Sequence, residues 1–395
     1  SIQAMGNKAQ ARQFMQEAGV PIVPGYQGQD DEQSLKHQAD QIGYPVLIKA
    51  AAGGGGKGMR VVWNQDDLND SIAAARRESL NAFGDERLIL ERYIPHAHHV
   101  EFQILGDSEG NLIHLFEREC SVQRRYQKII EETPSPLLDE ELRTRMGTAA
   151  VTAARAAGYQ NAGTVEFIVD PETHDFFFLE MNTRLQVEHP ITEAVTGLDL
   201  VQWQIRIAAG EKLSFRQDQI AQRGHAIECR LYAEDPSNGF LPAAGRLMQF
   251  HQPKGPGVRM DTGFTSGDEI ELFYDPLIAK LIVSAENRPA AIRKMQAALK
   301  ETVILGMPSN WQFLRDVLAD PEFETGHIYT TWVEEHFRQW QATNCVLPPE
   351  VLIAAALAQT QPVQAGEAAS GNYRTGSGKD PYSPWASPGG FRLGE

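Results

Sequence analysis

Apolar residues recur at helical spacing through residues 3–18 (QAMGNKAQARQFMQEA), and Gly19 with Pro21 supplies the stop, so a helix is expected there. Residues 44–50 (YPVLIKA) form a short β-rich run, followed by the glycine-rich residues 53–58 (GGGGKG) and a second run, MRVVW, at 59–63. That order reads as strand, glycine loop, strand. A helical pattern covers 66–80 and a strand pattern 87–94 (RLILERYI), which makes 21–94 a small α+β unit, read as a separate lid-like domain.

From His98 the chain alternates in strand fashion through HHVEFQIL and NLIHLFERECSV, with turn residues 106–111 between them, which predicts a hairpin. A helix at about 139–157 leads into a second hairpin: TVEFIV at 164–169, the turn DPETHD at 170–175, and FFFLEMN at 176–182. Further strands and a helix near 288–302 carry the pattern to Trp340. The fold class is therefore α+β, with 1–20 as a remnant of a preceding domain, 21–94 as the lid and 95–340 as a larger antiparallel-sheet domain. Residues 341–395 turn rich in Gly, Pro, Ser, Ala and Gln and read as a linker entering a truncated unit.

Composition narrows the function. The 395 residues carry a formal charge of −16, which offers no overall positive field, so nucleic acid is not an expected partner. The three cysteines, Cys120, Cys229 and Cys345, form no CxxC pair, so neither a zinc site nor a disulfide framework is indicated, and a reducing compartment fits. No run approaches the length of apolar residues that spans a bilayer. The chain opens on SIQAMGNKAQAR without an initiator Met or a secretory signal, and the natural N-terminus is expected upstream.

Folding the second hairpin about Thr173 sets Glu166 opposite Glu180 on one face, with Asn182 two residues further on the same side. Opposed Cβ atoms lie about 5 Å apart, and like charges at that spacing destabilise a sheet unless a cation neutralises them. Glu166, Glu180 and Asn182 thus form a candidate Mg²⁺ or Mn²⁺ site, with a solvated acidic face as the alternative. Strand-like spacing then brings Arg184, Gln186 and Glu188 to one side: an anion site with a base beside it, or a surface salt bridge between Arg184 and Glu188. Lys49 and the loop 53–58 suit phosphate oxygens, with a flexible hairpin tip as the alternative, and the loop lacks the Ser or Thr of a Walker A motif. Arg124, Arg125 and Lys128 in QRRYQK offer a further anion contact or solvated charge, and Arg259 in GVRMDTG is expected on a turn.

Taken together, MGNK (5–8), YPVLIKAAAGGGGKGMR (44–60), HVEFQILGD (99–107), ERECSVQRRYQK (117–128), GTVEF (163–167), EMNTRLQVEHPITE (180–193) and YAEDP (232–236) resemble the biotin carboxylases of the ATP-grasp superfamily, from Ser1 to about Trp340. FERECSVQRR and DPSNGFLPAAG look most like the α subunits of methylcrotonyl-CoA-type acyl-CoA carboxylases.

The resemblance implies an enzyme that uses ATP and bicarbonate to carboxylate a carrier-bound biotin through carboxyphosphate. It implies ATP contacts at Lys8, Lys49, Gly54, Gly55, Gly56, Glu91, Arg92, Tyr93, Ile94, His99, Gln123 and Tyr126, with divalent ions held by Glu166, Glu180 and Asn182. Lys128, Arg184, Gln186 and the Val187 backbone would hold bicarbonate, Glu188 would deprotonate it, and Arg259 would stabilise the biotin enolate. The implied partners are a biotin carrier domain and a carboxyltransferase β subunit, in an oligomer. The implied location is the cytoplasm of a bacterium or the mitochondrial matrix of a eukaryote. Three features depart from the family pattern: Tyr126 replaces a His, a further N-terminal α/β domain is expected before Ser1, and no Met-Lys-Met biotinylation motif is present. CVLPPEVLIAAALAQ (345–359) and DPYSPWASPGGFRLGE (380–395) resemble the start of the middle domain of methylcrotonyl-CoA-type subunits. The alternatives are a non-catalytic assembly module that binds ATP, and another ATP-grasp ligase.

Overall fold

The structure is a computed structural model that describes residues 8–28, 31–52, 59–342 and 349–360. They fall in two units, Ser1–Ala342 and Thr343–Glu395. The described part of the second unit is a helix, Pro349–Thr360, whose Val351, Leu352, Ile353 and Leu357 are exposed.

The first unit opens with helix α1 (Lys8–Glu17) and then a four-stranded antiparallel sheet. Its strands are β1 (Gly25–Tyr26), β2 (Val46–Ala50), β3 (Arg60–Val62) and β4 (Leu88–Arg92), in the order β1-β4-β2-β3. Helices α2 (Glu32–Ile42) and α3 (Leu68–Phe83) bury Leu35, Ala39, Leu68, Ile72 and Ala75 against Val46, Ile48, Val62, Leu88 and Leu90. Asp31 caps α2 by accepting from the Ser34 amide, and Gly84 ends α3 in the left-handed region, φ 70°. The expected strands of 21–94 all form, each shorter than expected, and the helix expected at 66–80 forms over Leu68–Phe83, starting two residues later and ending three later. The glycine loop 53–58 lies outside the described residues.

An eight-stranded antiparallel sheet follows. Its strands include β5 (His98–Gly106), β6 (Leu112–Arg124), β7 (Gln127–Thr133), β8 (Asn161–Val169), β9 (Phe176–Asn182) and β10 (His225–Tyr232). The order runs from the strand Val258–Thr262 through Leu277–Ala285, β10, β7, β6, β5 and β8 to β9. Both expected hairpins form, and Glu166 pairs with Glu180 in register as the hairpin arithmetic requires.

One face of this sheet is apolar. Val100, Phe102 and Ile104 of β5 and Val165, Phe167 and Val169 of β8 pack under helix α4 (Glu140–Ala156) through Leu142, Met146, Ala150 and Ala153. Because successive side chains of a strand point to opposite faces, His99, Glu101 and Gln103 of β5 and Thr164 and Glu166 of β8 must line the other face. That second face is buried too, and it is charged.

Candidate active site

The charged face is built as a row across four strands. Register places Arg118 on β6 opposite Glu101 on β5, Glu101 opposite Glu166 on β8, and Glu166 opposite Glu180 on β9. Exposure grows along the row: Arg118 and Glu101 are fully buried, Glu166 is buried, and Glu180 is exposed. Charges this deep are costly unless each is paired and hydrogen-bonded. Arg118 meets that demand by donating to Glu101 Oε1 (2.6 Å), Gln103 Oε1 (2.8 Å), Thr192 Oγ1 (2.9 Å), Gln186 Oε1 (3.0 Å) and Thr164 Oγ1 (3.2 Å).

Lys128 is the hub. It stands on β7, just past a two-residue turn in which Arg125 (φ 48°) and Tyr126 (φ 66°) are both left-handed, as a tight hairpin turn with the strand-matching twist requires. Its ammonium donates to Glu101 Oε2 (2.6 Å), Glu188 Oε1 (2.7 Å) and Glu166 Oε1 (3.4 Å). Of the expected basic run only Lys128 enters the site. Arg124 turns away to Glu234 (3.1 Å) and stacks over Phe240, while the Arg125 amide donates to Glu334.

The expected strand alternation through Arg184, Gln186 and Glu188 is corrected. β9 stops at Asn182, and the chain turns into helix α5 (His189–Thr196), whose first turn holds Pro190. Proline suits a helix start, and residues 183–188, between the end of β9 and that helix, form no strand. Gln186 and Glu188 nonetheless point into the site. Gln186 bridges Arg118 and Glu166 Oε1 (2.7 Å), and Glu188 is buried between Lys128 and Arg230, whose Nη2 lies 3.0 Å from its Oε2. The alternative of an Arg184–Glu188 surface bridge does not form; Arg184 is exposed and donates to the Leu185 carbonyl (3.3 Å).

Burial alone would push the Glu188 carboxyl up, but Lys128 and Arg230 more than reverse it and hold it below the usual range. Glu166 behaves alike: burial raises it, and Lys128 and His99, whose Nε2 lies 2.7 Å from Glu166 Oε2, bring it well down. The Lys128 ammonium, which burial alone would lower, is held well above its ordinary value by Cys120 and the surrounding carboxylates. Both glutamates are therefore ionised at neutral pH.

Asn182 sits 2.7 Å from Glu166 Oε1 and 3.3 Å from Glu180 Oε1, so the three expected metal ligands converge. Their oxygens are the hard donors that Mg²⁺ or Mn²⁺ takes.

A cavity of about 490 Å³ gathers most of the expected residues: Lys49, Glu91 and Arg92 from the small sheet with Tyr93 and Ile94 just past it, His99, Gln123, Lys128, Glu166, Glu180 and Asn182 from the large sheet, Tyr126 from the turn before β7, and Arg184, Gln186, Val187 and Glu188 from the segment after β9. At its edge Glu91 of β4 holds the Lys49 ammonium of β2 and accepts from Arg12 of α1 (2.9 Å). Tyr126 projects from its turn and is 61% exposed. A comparably large depression against α3, lined by Ala74, Arg77 and Ala82, gathers none of the expected residues.

Two expectations shift. The Lys8 side chain and Gly54, Gly55 and Gly56 lie outside the described residues. Arg259 is not on a turn and not in the cavity: it stands in the strand Val258–Thr262, 47% exposed, and its guanidinium is taken by Asp261 (2.7 Å) and Glu193 (2.8 Å). The arginine that lines the cavity is Arg230, from the run ECR at 228–230. Sequence reasoning missed it, along with Glu101 and Arg118. The signal was present: charges set among the apolar residues of a central strand, Glu101 in HVEFQIL and Glu228 with Arg230 in HAIECRLY.

A lid-sized sheet and a carboxylate-lined larger sheet enclosing one nucleotide-sized cleft define the ATP-grasp class. Two family models match: "Carbamoyl-phosphate synthase L chain, ATP binding domain" over residues 7–216 and "Biotin carboxylase C-terminal domain" over 228–335. The chain is 50% identical over 336 residues to the biotin carboxylase of Nostoc sp., covering 85% of this chain and 75% of that protein. It is 46% identical over 395 residues to the mitochondrial methylcrotonoyl-CoA carboxylase subunit alpha of Dictyostelium discoideum, covering all of this chain and 55% of that protein. Against such curated subunits the chain thus spans about half their length. Among solved structures it matches the biotin carboxylase domain dimer of Hydrogenobacter thermophilus 2-oxoglutarate carboxylase in complex with MgADP, ADP and bicarbonate. The TM-score is 0.81 at 47% identity, over 85% of this chain and 74% of that one. The chain belongs to the biotin carboxylase family. Among the described residues no helix is long and apolar enough to cross a membrane.

Proposed function

We propose that the chain is the biotin carboxylase part of an acyl-CoA carboxylase of the methylcrotonyl-CoA kind, carboxylating carrier-bound biotin with bicarbonate at the expense of ATP. The observation that carries this reading is the ionised Glu188, buried between Lys128 and Arg230 and facing the same cavity as the Glu166–Glu180–Asn182 oxygens. A base needs a proton donor within reach and a site that stabilises the charge it creates, and this cleft offers both.

In this reading Lys49 and residues 91–94, at the end of β4 and just past it, seat the nucleotide from the side of the small sheet, which acts as the lid. His99, Gln123 and Tyr126 meet it from the large sheet. The cavity has the volume of a nucleotide-sized site and its donors suit a phosphate chain, so the residues fit ATP. A divalent ion held by Glu166, Glu180 and Asn182 would neutralise phosphate charge. Lys128, Arg184, Gln186 and the Val187 backbone hold bicarbonate; Lys280, donating to the Val187 carbonyl (2.8 Å), fixes that backbone. Glu188 removes the bicarbonate proton as its oxygen attacks the γ-phosphorus, giving carboxyphosphate and ADP.

Arg230 rather than Arg259 then offsets the negative charge that the ureido acceptor acquires, because Arg230 lines the cavity and Arg259 is engaged outside it. The partners in this reading are a biotin carrier domain and a carboxyltransferase β subunit, with an oligomeric assembly and a cytoplasmic or mitochondrial-matrix setting according to source. ATP cleavage measured with and without bicarbonate and free biotin tests the reading. Stimulation by both supports it; intact ATP binding with no bicarbonate-stimulated cleavage would favour the assembly-module alternative.

A further inference from the structure

Behind Arg230 lies a second carboxyl pair that the proposed reaction does not use. Glu228, two residues before Arg230 on β10 and therefore on the same face, is fully buried, and neither of its carboxyl oxygens has a hydrogen-bond partner. Directly across the ladder on β7 stands Glu131, also fully buried. Glu131 Oε1 accepts from Arg230 Nε (2.6 Å), and its Oε2 has no partner. Three carboxyl oxygens are thus left over on two residues whose Cβ atoms are about 5 Å apart.

The charges facing Glu228 can be enumerated. β7 offers Glu131, the strand Leu277–Ala285 offers Lys280, β10 itself offers Arg230, and the entry to α5 offers Glu188. Each of the other buried carboxyls in this network has a cation within ion-pair distance: Lys128 meets Glu101, Glu166 and Glu188, and Arg230 meets Glu188 and Glu131. Glu228 is the member with no cation donating to it. Burial, and the Glu131 charge after it, push the Glu228 carboxyl well above its ordinary value, in the same direction as the geometry.

We propose that Glu228 is a positioning residue whose carboxyl keeps its proton and donates it to the free Oε2 of Glu131, so that Glu131 Oε1 holds Arg230 at the angle at which Arg230 meets Glu188 and the acceptor. A neutral acid here does what an ionised one could not: it satisfies Glu131 without adding a charge that would pull Arg230 off Glu188. The role in turnover rests on the reading of Arg230 given above, whereas the proton itself does not.

The test uses the whole chain and three variants, Glu228→Gln, Glu228→Leu and Glu131→Gln. The infrared C=O stretch of a protonated carboxyl, recorded on unliganded protein at neutral pH, should be present in the natural chain and lost in Glu228→Gln. Gln keeps a donor, so Glu228→Gln should retain kcat for biotin-dependent ATP cleavage within about threefold. Leu leaves Glu131 unsatisfied, so Glu228→Leu should lose about ten- to a hundredfold in kcat with the KM for ATP within about twofold. Glu131→Gln should lose kcat in the same range. Absence of the protonated band, or a Gln variant as damaged as the Leu variant, overturns the proposal. Should Glu228→Leu not fold, the band and the Gln rescue still decide. If the band is present but neither Glu228→Leu nor Arg230→Met changes kcat, the reading of Arg230 fails rather than the assignment of the proton.

Discussion

The two sheets of the first unit solve opposite problems. The small sheet hides an apolar layer under α2 and α3 and brings few charges to the cleft, chiefly Lys49 held by Glu91. The large sheet hides apolar residues on one face and, on the other, a network of carboxylates and cations with almost no solvent. An apolar core stabilises in proportion to the area it buries and tolerates adjustment. A buried ionic network tolerates little, because each removed partner strands another charge. The small sheet is therefore suited to seating a substrate, and the large one to fixing the groups that do chemistry.

The contrast can be broken most sharply at Glu188. Glu188→Gln should lower bicarbonate-dependent ATP cleavage by about 10²–10⁴-fold while ATP binding by calorimetry is retained; near-normal cleavage would remove Glu188 as the base. Next comes Glu101→Ala, which leaves Arg118 and Lys128 without their shared carboxylate and should cost about 3–5 kcal/mol in denaturant unfolding. On the small sheet, Lys49→Met should act on binding, raising the KM for ATP about tenfold with a smaller change in kcat in steady-state assays.

Acid should act on the large sheet. Burial opposes ionisation of Glu101, Glu166 and Glu188, yet their cationic neighbours hold all three below the ordinary value. Their stabilisation is complete above the unfolded-state value of about 4.3 and is lost as pH falls through the folded values, so the urea midpoint should drop progressively below about pH 4.3. Glu228 has the opposite sign, its folded value being raised. It stabilises fully only below about pH 4.3, so Glu228→Gln should melt higher than the natural chain at neutral pH and lose that advantage near pH 4. The smallest effect is expected at Arg259, where Ala should change kcat with free biotin by less than about twofold.

What the sequence made legible followed from short-range pattern. Both hairpins, the register of Glu166 with Glu180 and the two strands that flank the glycine run needed only alternation and a turn. The site's depth did not show. Lys128, Glu101, Arg118 and Arg230 meet because β7, β5, β6 and β10 are neighbours in a sheet whose order departs from chain order, and spacing along the chain carries no record of that. The same limit explains Arg184–Glu188: strand alternation ends at Asn182, and Glu188 finds its partners on other strands. Arg259 was chosen from a turn-like local context, while Arg230 sat unmarked between apolar neighbours.

The row Arg118, Glu101, Glu166, Glu180 crosses four adjacent strands, and strands in a sheet are spaced at about 4.8 Å. Three such steps separate its ends, so backbone pairing, and no side-chain rotamer, sets the span from the metal oxygens to the deepest guanidinium. A single residue inserted within β8 would turn the rest of that strand over, Glu166 included if it lies upstream. Length variation among descendants of this chain should accordingly collect in the hairpin turns at 106–111 and 170–175, leaving the strands between them fixed in length.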